Sequence, residues 1–228
     1  MKILVLDIGG TNIKVYATGH MEAIKIPSGP KFTPMQTVKA VRAATAGWTY
    51  SAVSIGYPGP VVHGKPLHDP VNLGSGWVGF DFAKAFGCPV KIINDAAMQA
   101  LGSYRGGRML FLGLGTGLGS AFIVDGVLEP MELAHLPYKH GRSFEEYVGV
   151  AALQRLGEKK WIKTVHDVVA QLKNALQADY VVLGGGNAKR LRTLPAGTFA
   201  GENTNACQGG FRLWHSETQL KKLAAADD

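Results

Sequence analysis

The sequence predicts a duplicated α/β protein of two lobes with a central cleft. Short apolar runs, typical of buried strands, lie at residues 3–6, 52–56, 90–93, 109–112 and 180–183. Helices are expected at residues 35–46, where apolar residues recur at helical spacing without a breaker, and at residues 96–104, 143–156 and 165–176. Strand, glycine turn, strand and helix therefore recur twice, with a seam near residues 105–110. We expect an N-terminal lobe at residues 1–107 and a C-terminal lobe at residues 108–228.

Two local patterns refine the N-terminal lobe. Residues 22–34 are polar and contain several prolines and glycines, which predicts a turn-rich connection. Thr33 and Gln36 have the spacing of a capping box, which would cap the helix expected at residues 35–46.

Composition and charge exclude several classes of protein. The 228 residues carry a net charge of +7, which attracts polyanions, although a merely solvated basic surface explains the charge equally well. The sequence contains no zinc-finger spacing, basic zipper or arginine-rich tail, so no nucleic-acid partner is expected. Its two cysteines, Cys88 and Cys207, indicate a reducing compartment. No apolar run approaches the ~18 residues of a membrane span, so we expect a cytoplasmic protein without a membrane partner.

A glycine-rich turn follows the first apolar run. This first glycine hairpin, residues 7–14, reads DIGGTNIK and leads back into β-branched and aromatic residues. Gly9 and Gly10 allow the backbone to approach an anion closely, and Thr11 adds a hydroxyl donor. Asp7, at the strand end, suits a hydrated Mg²⁺ ion, and Lys14 adds a positive charge. The alternative is an ordinary Gly-Gly hairpin with a surface aspartate.

A second glycine hairpin occupies residues 113–120. Its glycines fail the dinucleotide pattern Gly-x-Gly-x-x-Gly, and a strand rather than a helix follows. No Walker-type phosphate loop is present either. Gly115, Thr116 and Gly117 instead repeat the arrangement around Thr11, and two such hairpins can hold a polyphosphate from opposite sides.

Asp95 is the candidate catalytic residue. It follows the apolar run at residues 90–93, at the strand edge where open α/β sheets bind ligands. There it can accept the proton of an attacking hydroxyl group. The alternative is that Asp95 only caps the helix that begins at Ala96.

Six stretches carry a resemblance to a known family: DIGGTNIK, SIGYPGPVVHGKPLHDPVNLGSGWVGFDF, IINDAAMQALGSY, LGLGTGLGSAFIVDG, VVLGGGN and GGFRLW. They resemble the ROK family of sugar kinases and repressors, and within it the polyphosphate/ATP glucokinase branch. The resemblance implies an actin-like, ribonuclease H-like ATPase-type fold and a homodimer. It also implies that a phosphoryl group passes from polyphosphate or ATP, with Mg²⁺, to the 6-hydroxyl of glucose, with Asp95 as base.

The same resemblance implies further site residues. The sugar would be bound by Gly59, Asn72, Asn94, Glu132, His135 and Glu145. Thr116 would face the donor phosphates, and Gly185 and Gly186 would line the nucleotide or distal phosphate site. Many family members carry a cysteine-rich zinc motif that ends in a glutamate. Residues 138–145 contain no cysteine, so no zinc site is expected, although Glu145 keeps the final carboxylate.

Two alternatives stay open at this stage. The chain can be a sugar-sensing protein without turnover, or a kinase for another hexose such as mannose, fructose or an N-acetylhexosamine. Polyphosphate use would draw on basic residues near the site loops, which are Lys14, Lys65, Arg105, Arg108, Lys139, Arg142, Lys189, Arg190 and Arg192. No helix-turn-helix segment precedes the first strand, so DNA binding is not expected.

Overall fold

The computed structural model describes residues 1–202 and 204–224 and divides into two compact units. The first unit contains Met1–Met98 together with Ala206–Trp214. The second contains Gln99–Asn205 and the segment that starts at His215. The return of the chain to the first unit near its C-terminus has no signal in the sequence periodicity. The expected division into lobes at residues 1–107 and 108–228 stays a prediction.

The first unit is built on a five-stranded sheet in the order β3-β2-β1-β4-β7. Its strands, with a small separate hairpin, are β1 (Ile3–Ile8), β2 (Asn12–Ala17), β3 (His20–Pro27), β4 (Ala52–Tyr57), β5 (Val61–Val62), β6 (Lys65–Pro66) and β7 (Val90–Asn94). β4 is parallel to both β1 and β7, and the register pairs Asp7 with Gly56 and Tyr57 with Asn94. Three neighbouring strands therefore end together, and loops from these ends lie at one edge of the sheet.

The helices of the first unit begin where the local sequence indicates. They are α1 (Pro34–Ala44), α2 (Phe82–Phe86) and α3 (Asp95–Ser103), and α3 continues past Met98 into the second unit. Thr33 and Gln36 form the predicted capping box of α1. α2 ends at Gly87, whose φ of 75° is left-handed, as is common at a helix end.

The second unit repeats the same sheet plan, in the order β10-β9-β8-β13-β14. Its strands, with one small hairpin, are β8 (Arg108–Leu114), β9 (Leu118–Val124), β10 (Val127–Met131), β11 (Pro137–Lys139), β12 (Arg142–Ser143), β13 (Tyr180–Gly184) and β14 (Thr198–Ala200). In both sheets an antiparallel meander of three strands is extended by two parallel strands. The predicted duplicated α/β fold is confirmed.

Helices α4 (Glu145–Val148), α5 (Val150–Leu156), α6 (Glu158–Ala175), α7 (Asn205–Arg212) and α8 (Glu217–Ala224) complete the fold. The continuous helix expected at residues 143–156 is wrong, because Gly149 adopts an extended backbone with ψ of 173°. A methyl group at Gly149 would lie 2.7 Å from the Thr116 carbonyl oxygen, so the break brings the chain against the second glycine hairpin. α6 starts seven residues before the predicted start at residue 165, because Trp161 and its neighbours continue the buried stripe.

The turn-rich connection expected at residues 22–34 is also partly wrong. Residues up to Pro27 form β3, which pairs antiparallel with β2 and places Ile24 and Ile26 against the core. Pairing with a neighbouring strand overrides the weak local propensity of this stretch. The pairing matters for the site, because β3 ends beside the first glycine hairpin.

Helix α7 belongs to the first unit and packs on its sheet. The Ser54 hydroxyl donates a hydrogen bond to the Gly210 carbonyl oxygen at 2.6 Å, and the Trp214 indole N–H donates to the same hydroxyl oxygen at 2.8 Å. A methyl group at Gly210 would overlap the fully buried side chain of Val5. A glycine at this position therefore allows α7 to lie directly on β1.

None of the helices in residues 1–202 and 204–224 combines the length and apolar character that a membrane crossing needs.

The close packing of α7 leads to a stability prediction for Gly210→Ala. Alanine favours a helix by up to ~1 kcal/mol over glycine, whereas overfilling a packed core costs about 1–3 kcal/mol. We expect a net loss of about 1–2 kcal/mol, read as a lower midpoint in urea denaturation. Gly29→Ala is the control, because Gly29 has space around it and no left-handed φ. Equal midpoints for both variants would contradict the packing of α7 on Val5.

Candidate functional site

An ion pair lies at the end of β1. Asp7 and Lys14 face each other across the β1–β2 ladder, and the Lys14 Nζ lies 2.9 Å from Asp7 Oδ2. Asp7 is only 8% exposed. Burial lowers the pKa of Lys14, but the attraction of Asp7 and Asp95 outweighs this effect, so its pKa is raised. The structure thus brings Asp7, Lys14 and Asp95 close enough to interact electrostatically.

Ser28, which directly follows β3, holds the first glycine hairpin through hydrogen bonds. The Gly9 N–H donates to the Asn12 carbonyl oxygen at 3.1 Å. The Ser28 hydroxyl donates to the Gly9 carbonyl oxygen at 2.7 Å, and the Ser28 N–H donates to the Thr11 carbonyl oxygen at 2.9 Å. Ser28 was missed by the sequence analysis, because only the pairing of β3 brings it beside residues that lie far before it in the chain.

Asp69 organises the loop of residues 69–78, which we call the 69–78 loop. Its carboxylate accepts hydrogen bonds from the backbone N–H groups of Gly76, Trp77 and Val78 at 3.1, 2.8 and 3.3 Å. The N–H donors of Gly76 and Trp77, and then that of Val78, lower the pKa of Asp69. The sequence analysis missed this residue, although an Asp-Pro pair at the head of a glycine-rich loop is a recognisable turn signal.

Asn72 in the 69–78 loop lies against the first glycine hairpin. A methyl group at Gly10 would lie 2.7 Å from the Asn72 Cβ. Trp77, near the end of the loop, is fully buried and packs against the Tyr57 ring at 5.8 Å. The predicted sugar residue Asn72 and the predicted phosphate residue Gly10 are therefore in contact.

Asn94, the last residue of β7, holds two neighbouring segments. Its Nδ2 donates to the Gly59 carbonyl oxygen at 3.1 Å, and its Oδ1 accepts from the N–H groups of Ala96 and Ala97 at 2.9 and 3.3 Å. Asn94 is thus the N-cap of α3. It joins the turn at Gly59 to the start of that helix.

Asp95 is the first residue of α3 rather than its cap. Its Oδ1 accepts a hydrogen bond from the Ala96 N–H at 2.8 Å, and the residue is half-buried. Gly56 on β4 provides the room for this approach, because a side chain there would meet the Asp95 Cα and the Met98 side chain. Asn94 rather than Asp95 thus holds the N-cap position, although Asp95 also accepts a hydrogen bond from the first turn of α3, and the catalytic role of Asp95 stays a prediction.

In the second unit, Glu145 lies on the second glycine hairpin. Its carboxylate accepts a hydrogen bond from the Leu118 N–H at 3.2 Å, and a methyl group at Gly117 would overlap the same carboxylate. The exposed Thr116 accepts a hydrogen bond at its carbonyl oxygen from the Val150 N–H at 3.1 Å. The helix break at Gly149 thus seats α4 and α5 against the hairpin.

The glycine run after β13 joins the same hairpin. Gly185 has φ of 83° and ψ of 161°, and a methyl group there would overlap the backbone of Leu114. Asn187, another residue that the sequence analysis missed, donates from Nδ2 to the Gly115 carbonyl oxygen at 3.0 Å. Gly115 and Gly186 differ from Gly185, because nothing lies within 4 Å of where their side chains would be.

Glu132 and His135 lie on another short segment of the second unit. Both are exposed and flank the buried Leu133 and Ala134 in a 3₁₀ turn. Ser120 anchors this turn to β9, since its hydroxyl donates to the Met131 carbonyl oxygen at 2.8 Å and accepts from the Leu133 N–H at 3.1 Å. The hydrogen bond that holds Glu145 to the second glycine hairpin and those that hold this 3₁₀ turn to β9 involve different residues.

Several of the basic residues have structural partners. Arg108 donates to the carbonyl oxygens of Gln177 and Leu176, just past the end of α6, both at 2.9 Å. The Lys139 Nζ lies 2.7 Å from Asp167 Oδ2. Its hydrogen bond is the largest of several contributions that lower the pKa of Asp167 to about 2. Arg190 pairs with Glu158 at 3.3 Å. These side chains contribute to the net field but are engaged locally.

Within the described ranges, no three His, Cys, Asp or Glu side chains gather closely enough to hold a metal ion. The expectation that zinc is absent stays a prediction. A Mg²⁺ ion that keeps most of its waters and contacts one carboxylate and the substrate phosphates needs no such cluster.

Comparison with known proteins agrees with the sequence resemblance. Polyphosphate glucokinase of Mycobacterium tuberculosis is 28% identical over 207 residues, which are 81% of this chain and 77% of that protein. Polyphosphate glucokinase of Mycobacterium leprae is 28% identical over 208 residues, covering 81% of this chain and 63% of that protein.

Solved structures share the architecture. The inorganic polyphosphate/ATP-glucomannokinase from Arthrobacter sp. strain KM has a TM-score of 0.76 and 25% identity, covering 100% of this chain and 99% of that chain. The ROK hexokinase from Thermus thermophilus has a TM-score of 0.71 and 20% identity, covers both chains completely, and is a likeness of fold. Residues 3–129 match the sequence profile of the ROK family. Because this match spans more than half of the sequence, the chain belongs to the ROK family.

Proposed function

We propose that the chain is a glucokinase that transfers a phosphoryl group from inorganic polyphosphate or ATP to the 6-hydroxyl of glucose. The observation that carries this proposal is the placement of Asp95. It stands at the edge where the parallel strands of the first unit end, near the Lys14–Asp7 pair, while Asn94 takes the cap of α3. The names of the similar proteins, polyphosphate glucokinase and glucomannokinase, support the same activity.

Asp95 acts in this proposal as the general base. An attacking hydroxyl must lose its proton as the phosphorus–oxygen bond forms, and a carboxylate within hydrogen-bond reach accepts that proton. The N-terminus of α3 and the ammonium group of Lys14 both favour negative charge at this position. Phosphoryl transfer otherwise depends on positioning and on neutralising phosphate charge.

The two glycine hairpins supply that positioning. Gly10, Thr11, Thr116 and Gly117 would contribute backbone N–H groups and the two threonine hydroxyls. Gly9 and Gly115, whose N–H groups bind the Asn12 and Gly117 carbonyl oxygens, would let the donor approach the backbone closely. Lys14 contributes positive charge, and Gly185 and Gly186 line the distal phosphates or the nucleotide. Mg²⁺, held through water by Asp7, shields phosphate charge when it is bound.

Glucose is bound in this proposal by Gly59, Asn72, Asn94, Glu132, His135 and Glu145. The structural contacts of two of these residues are compatible with such a role. An amide nitrogen carries two hydrogens, so the bond from Asn94 to Gly59 leaves a second donor for a sugar hydroxyl. A carboxylate accepts several hydrogen bonds, so Glu145 can bind a hydroxyl beside its bond to Leu118.

Mannose is the second candidate substrate, because the protein from Arthrobacter is named a glucomannokinase. A coupled assay with purified protein, Mg²⁺ and either donor, run with glucose, mannose, fructose and N-acetylglucosamine, tests the function and ranks the sugars. Glucose binding by calorimetry without phosphorylation from either donor would instead indicate a sugar-sensing protein. Magnesium dependence, a homodimer and a cytoplasmic location complete the proposal, and chelation and light scattering test the first two.

The first functional prediction concerns Asp95→Asn. The amide keeps the shape of the side chain but cannot take a proton, so turnover should fall by about 10²–10⁴-fold. Glucose binding, measured by calorimetry without donor, should survive. Asp81→Asn is the control for losing a carboxylate at a helix N-terminus, because Asp81 is the N-cap of α2 and accepts from the Lys84 N–H at 2.9 Å. Near-normal turnover of folded Asp95→Asn protein would rule out the base.

A second prediction separates the two glycines after β13. Gly185→Ala places a side chain at a left-handed φ and against Leu114, so we expect a loss of about 2–4 kcal/mol of stability. Gly186→Ala has open space and should keep the wild-type urea midpoint. If the phosphate donor occupies that space, Gly186→Ala should raise the apparent donor KM about threefold to tenfold. An unchanged donor KM would remove Gly186 from the donor site.

The third prediction concerns the donor. Polyphosphate is attracted by the net positive field of the protein, and the screening length falls from about 10 Å at 0.1 M salt to about 3 Å at 1 M. Apparent affinity for long polyphosphate should therefore fall more steeply with salt than affinity for ATP, which also has a base to bind. If polyphosphate supports no phosphorylation at any salt concentration, the protein uses ATP alone.

A further inference from the structure

Gly10 is required by a neighbouring side chain rather than by its own backbone. Its φ lies outside the left-handed region, which L-residues avoid. A methyl group added to it would lie 2.7 Å from Cβ, 3.5 Å from Cγ and 3.6 Å from Nδ2 of Asn72. Asn72 therefore fills the space in which a side chain at position 10 would stand.

The 69–78 loop has little freedom to move away from such a side chain. Asp69 accepts three backbone hydrogen bonds across the base of the loop. The Gly74 N–H donates to the Phe32 carbonyl oxygen at 3.1 Å, and a methyl group at Gly74 would lie 3.0 Å from the backbone of Lys31. Trp77 is fully buried. Strain at Gly10 would therefore be taken up locally, at the exposed Asn72.

The first glycine hairpin is equally restricted on its other side. Ser28 binds the carbonyl oxygens of Gly9 and Thr11, and the Gly9 N–H closes the turn onto Asn12. Hydrogen bonds thus hold both the hairpin and the loop in place, and Gly10 contacts Asn72 where the two segments meet.

We propose that Gly10 is a positioning residue for the acceptor sugar, although it lies in the hairpin assigned to the donor phosphates. Because Gly10 has no side chain, Asn72 can pack against it in the orientation that binds a sugar hydroxyl. This inference rests on the proposed glucokinase function, in which Asn72 binds glucose. It adds that the geometry of the donor hairpin sets the affinity for the acceptor even when no donor is present.

The test is a double-mutant cycle on glucose affinity, measured by calorimetry in the absence of any donor. Gly10→Ala should weaken glucose binding about tenfold, the scale of one lost hydrogen bond. Asn72→Gly removes both the amide and the clashing Cβ, so adding Gly10→Ala to that variant should change the affinity by less than about twofold. A merely structural effect of the methyl group would persist in both backgrounds.

Gly9→Ala is the matched control in the same hairpin. Its methyl group would meet the Asn12 carbonyl oxygen at 2.9 Å and would not contact Asn72. It should raise the donor KM and leave donor-free glucose affinity within about twofold of wild type. Gly10→Ala, in contrast, should raise the glucose KM more than it lowers kcat.

Three outcomes overturn the inference. They are an unchanged glucose affinity in Gly10→Ala, a tenfold loss that persists beside Asn72→Gly, and an equal loss in Gly9→Ala. If Gly10→Ala lowers the melting temperature, Asn72→Gly should restore it, and failure to do so contradicts the contact. Failure of the wild type to bind any hexose would instead refute the proposed function, so the two failures are distinguishable.

Discussion

The candidate site of the first unit depends on the side chain of one amide, Asn94. Strand β7 must end, a turn must fold back over it, and α3 must begin, all within a few residues. Asn94 meets these needs at once, because its nitrogen binds the Gly59 carbonyl oxygen and its oxygen caps α3. Asp95 accepts from the Ala96 N–H as well, whereas the Ala97 N–H is bound by Asn94. The two neighbours thus share one donor of the first turn, and Asn94 alone also holds the turn at Gly59.

Glycines shape both hairpins, but for two different physical reasons. Gly10, Gly117 and Gly185 are required by the protein itself, because Asn72, Glu145 and the Leu114 backbone occupy the space of their side chains. Gly115 and Gly186 face open space. The Gly115 N–H is nevertheless used within the hairpin, because it donates to the Gly117 carbonyl oxygen at 3.1 Å. The distinction between glycines required by packing and glycines beside open space is one that the sequence cannot make.

The sequence predicted the fold class and the strand ends well, because short apolar runs closed by glycines are a strong local signal. It failed where partners distant in sequence decide the outcome. β3 forms because β2 offers a ladder, and α7 packs on β1 because Gly210 admits Val5. Asp69 and Asn187 lie in stretches that carry the family resemblance and Ser28 does not, but only tertiary contacts show which loop or hairpin each of them holds. Motifs therefore locate the loops and hairpins more readily than the residues that hold them in place.

Some basic side chains of this chain form local ion pairs, and the others contribute to the long-range attraction of anions. Lys14, Lys139 and Arg190 each lie within 3.3 Å of a carboxylate, and Arg108 binds carbonyl oxygens near the end of α6. A paired lysine and carboxylate form a dipole whose field falls quickly, so such pairs do little to attract a polyanion from a distance. The excess of 24 basic over 17 acidic residues nevertheless leaves a net charge of +7, and this excess is carried by side chains outside those pairs. Any attraction of a polyanion is thus a property of the whole surface rather than of these paired side chains.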